Sequence, residues 1–275
     1  MLISVIITTK NEEKNIENCL RSVLEQTYPR ENIEIIVVDN FSTDRTAEIV
    51  QEFSKRFTPL NVKLFNRGPE RSAQRNFGVE QSKGEYFIYL DADMILEKNV
   101  IRDCVEKIKN NPEIIALYVS EIVMGEKFFS QVRRFERSFY DGTAIDGVRF
   151  IKKEKFMEVG CFDERMYACE DWDLTKKLKK AGKTDLVSSV IYHNEEEFNL
   201  RKYLGKKGYY SKNMNLYLEK WGESDPDLKK QFGLSYRFFG VFVENGKWKK
   251  LLSHPLLACG MYFLRIMVGI KFLIK

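Results

Sequence analysis

The chain has 275 residues, 44% apolar and 31% charged, with six prolines and no low-complexity tract, which suits a globular protein with an ordinary core and excludes a disordered or fibrous chain. A formal net charge of +5 is a mild excess, and no zinc-finger, recognition-helix or RNA-sheet signature accompanies it, so nucleic acid is not expected as a partner. Cys19, Cys104, Cys161, Cys169 and Cys259 form no C-x-x-C pair and read as small buried hydrophobes in a reducing compartment.

Met1 runs straight into Leu2-Ile3-Ser4-Val5-Ile6-Ile7, too short for a secretory h-region, so the N-terminal part is expected to stay in the cytosol. Ile3 to Thr8 reads as a strand. Ile16, Leu20, Val23 and Leu24 then fall on one helix face. Ile33 to Val38 predicts a second buried strand, followed by Ser42-Thr43-Asp44 as a helix cap leading into Ala47, Val50 and Phe53. Val62 to Phe65 and Tyr86 to Leu90 are the third and fourth strands, with a helix from Ser72 to Glu80 between them, and Ile114 to Val119 is the fifth. Apolar strands separated by helices predict a mainly parallel sheet covered on both faces, with the ligand at the carboxyl ends of the strands.

The polar residues at those ends make joint chemical sense. Thr8-Thr9-Lys10-Asn11-Glu12 follows strand one, Asp39-Asn40-Phe41-Ser42 strand two, and Asp91-Ala92-Asp93 strand four. No G-x-G-x-x-G or Walker-type loop is present, which counts against a dehydrogenase or a P-loop NTPase. Two carboxylates flanking one small residue can meet a hard divalent cation while leaving positions for diphosphate oxygens. A second acidic set, Glu170-Asp171-Trp172-Asp173, opens a helix; the helix dipole accounts for one such carboxylate but not for the whole pattern.

With these motifs the sequence resembles the family-2 glycosyltransferases of GT-A fold. The resemblance is carried by Ser4 to Glu13, by Glu34 to Asp44, by Arg71-Ser72-Ala73-Gln74-Arg75-Asn76-Phe77-Gly78, by Leu90 to Asp93, by Val159 to Glu164 and by Glu170 to Leu174, in family order over about the first 195 residues. It implies an α/β chain of GT-A (nucleotide-diphospho-sugar transferase) fold, its mainly parallel sheet covered by helices, with a helical C-terminal extension. Residues 1–200 would be the catalytic domain, with a nucleotide-binding half at about 1–95 and an acceptor-binding half at about 96–200; residues 201–275 would be the extension.

The same resemblance implies the roles. Thr8, Asn11, Glu12, Asp39, Ser42, Arg71, Asp91 and Ala92 would bind the nucleotide-sugar, Asp39 by accepting a hydrogen bond from the base. Asp93, with Asp91 and His193, would hold Mn²⁺ or Mg²⁺. Asp171 would be the catalytic base of a single inverting displacement, with Glu170 as the alternative or as a residue holding the loop or an acceptor hydroxyl. UDP is the nucleotide expected from such relatives, and a glycan or lipid-linked hydroxyl the acceptor. The Q-x-x-R-W motif of processive synthases is missing; Gln131-Val132-Arg133-Arg134-Phe135 precedes Asp171 and reads as a helix surface beside Phe128 and Phe139.

The last third carries no family motif. Arg201 to Tyr210 is basic and aromatic, which suits a phosphate-bearing acceptor or simply a solvated helix face. Phe232 to Val243 and Pro255 to Ile274 are apolar, with Lys247-Trp248-Lys249-Lys250 between them. Arg265 makes a membrane span costly, so attachment at the cytosolic face of a membrane is expected over a span, and helices packed on the catalytic domain or a second subunit are the alternative. Two rival readings stay open: a nucleotidyltransferase that makes a nucleotide-sugar, disfavoured by the acidic, glycine-free first loop, and a non-catalytic scaffold, disfavoured by intact Asp91, Asp93 and Asp171. Oligomeric state is not legible.

Overall fold

The computed structural model describes residues 1–57, 61–212 and 214–273. In chain order the first half comprises β1 (Ile3–Thr9), α1 (Ile16–Leu24), β2 (Ile33–Asp39), α2 (Thr46–Arg56), β3 (Asn61–Asn66), α3 (Arg71–Glu80), β4 (Tyr86–Asp91), β5 (Met94–Leu96) and α4 (Val100–Asn110). There follow β6 (Ile114–Val123), α5 (Phe128–Arg137), β7 (Phe150–Lys152), α6 (Lys153–Glu158), α7 (Glu170–Ala181) and β8 (Lys183–His193). The C-terminal part holds α8 (Leu200–Lys212), α9 (Asn215–Trp221), α10 (Pro226–Phe232), a π-helical turn at Tyr236–Gly240, α11 (Val241–Val243), α12 (Trp248–Ser253) and α13 (Pro255–Leu273).

Among the described residues the strands form one sheet in the order β3-β2-β1-β4-β7-β6-β8-β5. The expectation of a mainly parallel sheet holds for its first half. There β1, β2, β3 and β4 pair in parallel, and β1 and β2 are buried along their whole length. The second half is mixed: β7 runs antiparallel between β4 and β6, and β5 antiparallel to β8. Strands of three residues such as β5 and β7 carry too short an apolar pattern to be read from sequence.

Each face of the sheet has its own core. Ile3, Val5 and Ile7 face Cys19 and Leu20 of α1, Val50 and Phe53 of α2 and Ile101 and Cys104 of α4. Ile6, Ile36 and Val38 face Val79 of α3, Phe156 of α6 and Leu174 and Leu178 of α7. Helix α3 lies against β1 because residue 78 is glycine: a Cβ there would stand 2.5 Å from the Ile6 side chain. The cap expected at Ser42-Thr43-Asp44 is made by Asp44, whose Oδ1 accepts from the Thr46 amide at 3.0 Å as α2 begins. Of the cysteines, Cys19 and Cys104 are buried as expected, whereas Cys161 and Cys169 are half-buried and Cys259 is exposed.

The C-terminal helices dock on the sheet domain through α5. Val132, Phe135 and Phe139 pack with Val241, Phe242, Met261 and Leu264, each buried apolar side chain contributing about 2 kcal/mol. Gly260 allows the close approach, since a Cβ there would meet Val132 at 2.6 Å. One expectation is corrected here. The segment 131–135 is not a helix surface: Gln131 is exposed, but Val132 and Phe135 are core. Arg265 is buried and paired, donating to Glu136 Oε1 at 3.0 Å and to the Tyr140 hydroxyl at 2.8 Å. No helix among the described residues is long and apolar enough to cross a membrane; Ile274, the end of the apolar stretch, lies outside them.

Candidate active site

The sheet register brings the polar strand ends to one level. Thr8 of β1 sits beside Asp91 of β4, and Thr9 beside Asp39 of β2. At the other end of the sheet Met94 pairs with His193, which sets His193 next to Asp93. The result is a cleft of about 380 Å³ over the carboxyl ends of the strands, lined among others by Thr8, Glu12, Arg71, Asp93, Asp171 and His193.

Two loops clasp each other on the nucleotide side. The Asn11 amide donates to Ser42 Oγ at 2.8 Å, and the Thr43 amide returns a bond to Asn11 Oδ1 at 2.8 Å. Asn11 takes φ 55°, a conformation that asparagine tolerates better than most residues. Beneath the clasp Asp39 is buried and accepts both the Ser42 amide at 2.9 Å and the Ser42 hydroxyl at 2.5 Å. Asn11 and Ser42 shape the loop, Asn11 also lining an adjoining cleft with Glu12 and Asp93, and Asp39 is held by Ser42 at the base of the clasp. Thr8, Glu12, Arg71, Asp91 and Ala92 line the cleft over the strand ends, Ala92 through a buried methyl group.

The carboxylates are organised by a residue that the sequence reading gave no role. Arg75, fully buried in α3, donates from Nη2 to Asp91 Oδ1 at 3.0 Å and from Nη1 to Asp171 Oδ1 at 2.9 Å. Its guanidinium carbon stands 4.6 Å from the Tyr89 ring centre and 5.3 Å from that of Phe162. The Tyr89 hydroxyl lies 2.7 Å from the Val148 carbonyl oxygen and 3.2 Å from Asp171 Oδ1. Asp171 Oδ2 makes no hydrogen bond among the described residues, and Gly147 packs behind the side chain, where a Cβ would come within 3.1 Å of Asp171 Cβ.

Arg71 and Arg75 stand four residues apart on one helix face, so the i, i+4 spacing was the signal available for Arg75. Burial pushes the Asp91 carboxyl up, but Arg75, Arg71 and Arg149 outweigh it and hold Asp91 well below the usual carboxylate range. Glu170 is buried and turned toward Arg71, at 3.3 Å, and Arg75, at 3.5 Å, away from the cleft lining. Burial, reinforced by the neighbouring Asp171, raises its pKa.

A second chain of charges runs behind Asp93. Its Oδ2 is 3.2 Å from His193 Nε2, and His193 Nδ1 is 3.6 Å from Glu121 Oε2. Glu121 in turn accepts from Arg149 Nε at 3.1 Å and pairs with Arg137 at 2.9 Å. Burial works against the imidazolium, yet the bonds to Asp93 and Glu121 prevail and hold the His193 pKa up at about 10. Asp93 Oδ1 is buried with no hydrogen-bond partner among the described residues. Such an orphaned oxygen, beside an imidazole and at the cleft wall, suits a hard cation. Among the described residues no three His, Cys, Asp or Glu side chains gather as a metal-binding group.

Comparison with known proteins agrees with this layout. The family model for glycosyl transferase family 2 matches residues 4–163. Glycosyltransferase AglE of Haloferax volcanii is 31% identical over 190 residues, 66% of this chain and 62% of its own length. The dolichyl N-acetyl-alpha-D-glucosaminyl phosphate 3-beta-D-2,3-diacetamido-2,3-dideoxy-beta-D-glucuronosyltransferase of Methanococcus voltae is 28% identical over 203 residues, 66% of this chain and 62% of its own length. The chain thus spans about three-fifths of these relatives. Among solved structures, the mannosyltransferase PcManGT from Pyrobaculum calidifontis, in complex with GDP-Man and Mn²⁺, superposes with a TM-score of 0.64 at 19% identity, over 94% of this chain and 73% of its own. Residues 1–349 of S. aureus TarS, in complex with UDP-GlcNAc, give 0.58 at 20% identity, over 96% and 80%. The family model covers more than half of the chain and the solved neighbours share its sheet and helices: the chain belongs to glycosyl transferase family 2 and has the GT-A fold.

Proposed function

We propose that this chain is an inverting glycosyltransferase that moves one sugar from a nucleotide-sugar to a hydroxyl of a glycan or lipid-linked acceptor, with Asp171 as base. The observation that carries the reading is the clamp on Asp171. Arg75 and Tyr89 fix Oδ1, which leaves Oδ2 to take a proton in the cleft. In the step, Oδ2 takes the acceptor's hydroxyl proton as its oxygen bonds to the anomeric carbon. The bond from that carbon to the diphosphate oxygen breaks with its electron pair, so configuration inverts. Asp93 would hold Mn²⁺ or Mg²⁺, and His193 would join it only as the neutral imidazole, the cation displacing the Nε2 proton shared with Asp93, with Asp91 behind them tied to Thr8 and Arg75. A divalent cation there supplies charge stabilisation for the departing diphosphate.

Residues 1–95 form the donor half of this reading, 96–200 the acceptor half, and 201–275 an extension that contacts the membrane surface. Leu252 and Leu256, 70% and 76% exposed, follow Lys249 and Lys250 in the chain and support peripheral attachment at a cytosolic face. The donor nucleotide is taken as UDP.

The test is nucleoside diphosphate release from UDP-, GDP- and dTDP-sugars, with and without Mn²⁺ or Mg²⁺. Metal-dependent release from one donor, lost in Asp171→Asn and Asp93→Ala while both variants melt as folded proteins, supports the mechanism. Wild-type turnover in either variant overturns it.

A further inference from the structure

Helix α8 crosses the mouth of the cleft. The Tyr210 ring centre is 6.0 Å from the Arg71 guanidinium carbon, and the Tyr209 hydroxyl donates to Glu70 at 3.3 Å. Lys206 and Lys207 of α8 line the cleft together with Arg133 of α5, Lys206 also bordering Arg71 and Gln74. Neither lysine makes a hydrogen bond or an ion pair among the described residues; the Lys207 ammonium stands 5.6 Å from the centre of the Tyr203 ring.

The carboxylate that could neutralise them is already engaged. Glu136 accepts from Arg133 at 2.6 Å, from Arg265 at 3.0 Å and from the Tyr140 hydroxyl at 2.7 Å. Glu195 reaches Arg133 only at 3.9 Å, and Arg133 Nε is buried with no hydrogen-bond partner among the described residues. Burial, together with the guanidinium groups of Arg133 and Arg237, holds the Lys207 pKa down at about 7. Against the cost of burial, Glu195 and Asp93 act on Lys206 and raise its pKa, but neither lysine has a carboxylate in direct contact among the described residues, so three cations lining the cleft that contains Asp171 favour a bound anion.

We propose that Arg133, Lys206 and Lys207 form a binding site for a phosphoryl group, and that this group belongs to the acceptor. The inference rests on Asp171 as the base, because it places the phosphoryl group in the same cleft as the hydroxyl being deprotonated. Two observations separate it from the donor's diphosphate. Lys207 and Arg133 stand over the Tyr203 ring, and Arg133 pairs with Glu136, both outside the nucleotide half. The nucleotide half carries its own cation, Arg71, beside Asp91.

The site is tested by calorimetric titration of the full chain at low salt with farnesyl phosphate, farnesol, and UDP or GDP with Mn²⁺. The proteins are wild type, Lys206→Gln/Lys207→Gln and Lys207→Arg. The proposal expects farnesyl phosphate to bind wild type at least about ten-fold more tightly than farnesol, the gain that charge-assisted bonds bring. The double variant should lose about ten-fold or more for farnesyl phosphate, keep nucleoside diphosphate affinity within about two-fold, and melt as wild type. Lys207→Arg should retain the phosphate preference. Equal affinity of wild type for farnesyl phosphate and farnesol overturns the site. A loss confined to the nucleoside diphosphates, or shared equally by them, overturns its assignment to the acceptor. Wild type that binds no nucleoside diphosphate at all would instead remove the transferase reading beneath it.

Discussion

Replacing Arg75 with methionine keeps an unbranched apolar stem but removes the guanidinium that meets Asp171 at 2.9 Å, Asp91 at 3.0 Å and Glu170 at 3.5 Å. Stripping one partner from a buried ion pair costs about 3–5 kcal/mol, because the remaining charge is left without compensation. The Asp91 and Asp171 side chains retain 21% and 31% of their exposure, so water recovers part of that loss and the expected destabilisation is about 3 kcal/mol. At about 2–4 °C per kcal/mol this lowers Tm by about 6–12 °C near pH 7.

The pH dependence has a definite sign. Asp91 has a folded pKa below its unfolded one, so its contribution is present at neutral pH and is lost as pH falls through the acid range. The gap between wild type and variant should therefore be open near pH 7 and narrow as pH falls below about 4, the unfolded value. Thermal and urea unfolding across that range, with turnover measured at a temperature where both proteins are folded, reads all three effects. Turnover should fall because Asp171 Oδ1 loses its anchor. An Arg75→Met protein with wild-type Tm at pH 7 would refute the clamp as the organiser of the site.

Gly147→Ala places a methyl group 3.1 Å from Asp171 Cβ, so the base must shift by a few tenths of an ångström. We expect kcat to fall about ten-fold or more with donor affinity unchanged, and equal loss in kcat and donor affinity would contradict that geometry. Arg265→Met leaves Glu136 with one guanidinium fewer and should cost about 3 kcal/mol, with faster hydrogen exchange across residues 255–273. Burial opposes the charge on Glu136, but Arg133 and Arg265 hold its pKa down at about 2. The stability it lends is present above its unfolded value and disappears as pH falls toward 2, so the penalty of Arg265→Met should shrink in acid. Unchanged exchange in that segment would mean that the helix is not held through this pair.

The first half of the fold was legible because its strands are apolar on both faces and its chemistry sits at their ends, a pattern of period and position alone. Thr8, Glu12, Asp91 and Asp93 stand at or just beyond those ends, the family resemblance added Arg71, Asp171 and His193, and the structure gathers them in one cleft. What stayed hidden is pairing. Nothing in the run containing Glu121 tells that Arg149, 28 residues on, folds back onto it. Nor does the apolar stretch around Arg265 reveal that Glu136, 129 residues earlier, satisfies it. A charge inside a hydrophobic run reads as a cost until its partner is known, which is why Arg265 looked like an obstacle in a membrane and is a rivet inside the protein. Asp39 shows the converse. Its position was legible, but the hydroxyl that claims its carboxylate comes from a turn whose conformation the sequence does not fix.

The Arg75 clamp also sets a schedule during synthesis. Arg75 and Asp171 are 96 residues apart, and a ribosome adding about 5–20 residues per second takes about 5–20 s to make that stretch. For that interval the guanidinium at the heart of the first half has Asp91 and the Tyr89 ring but neither acid of the later helix. The nascent sheet must therefore wait, incompletely neutralised and open to chaperones, until the segment carrying Glu170 and Asp171 emerges and closes the site.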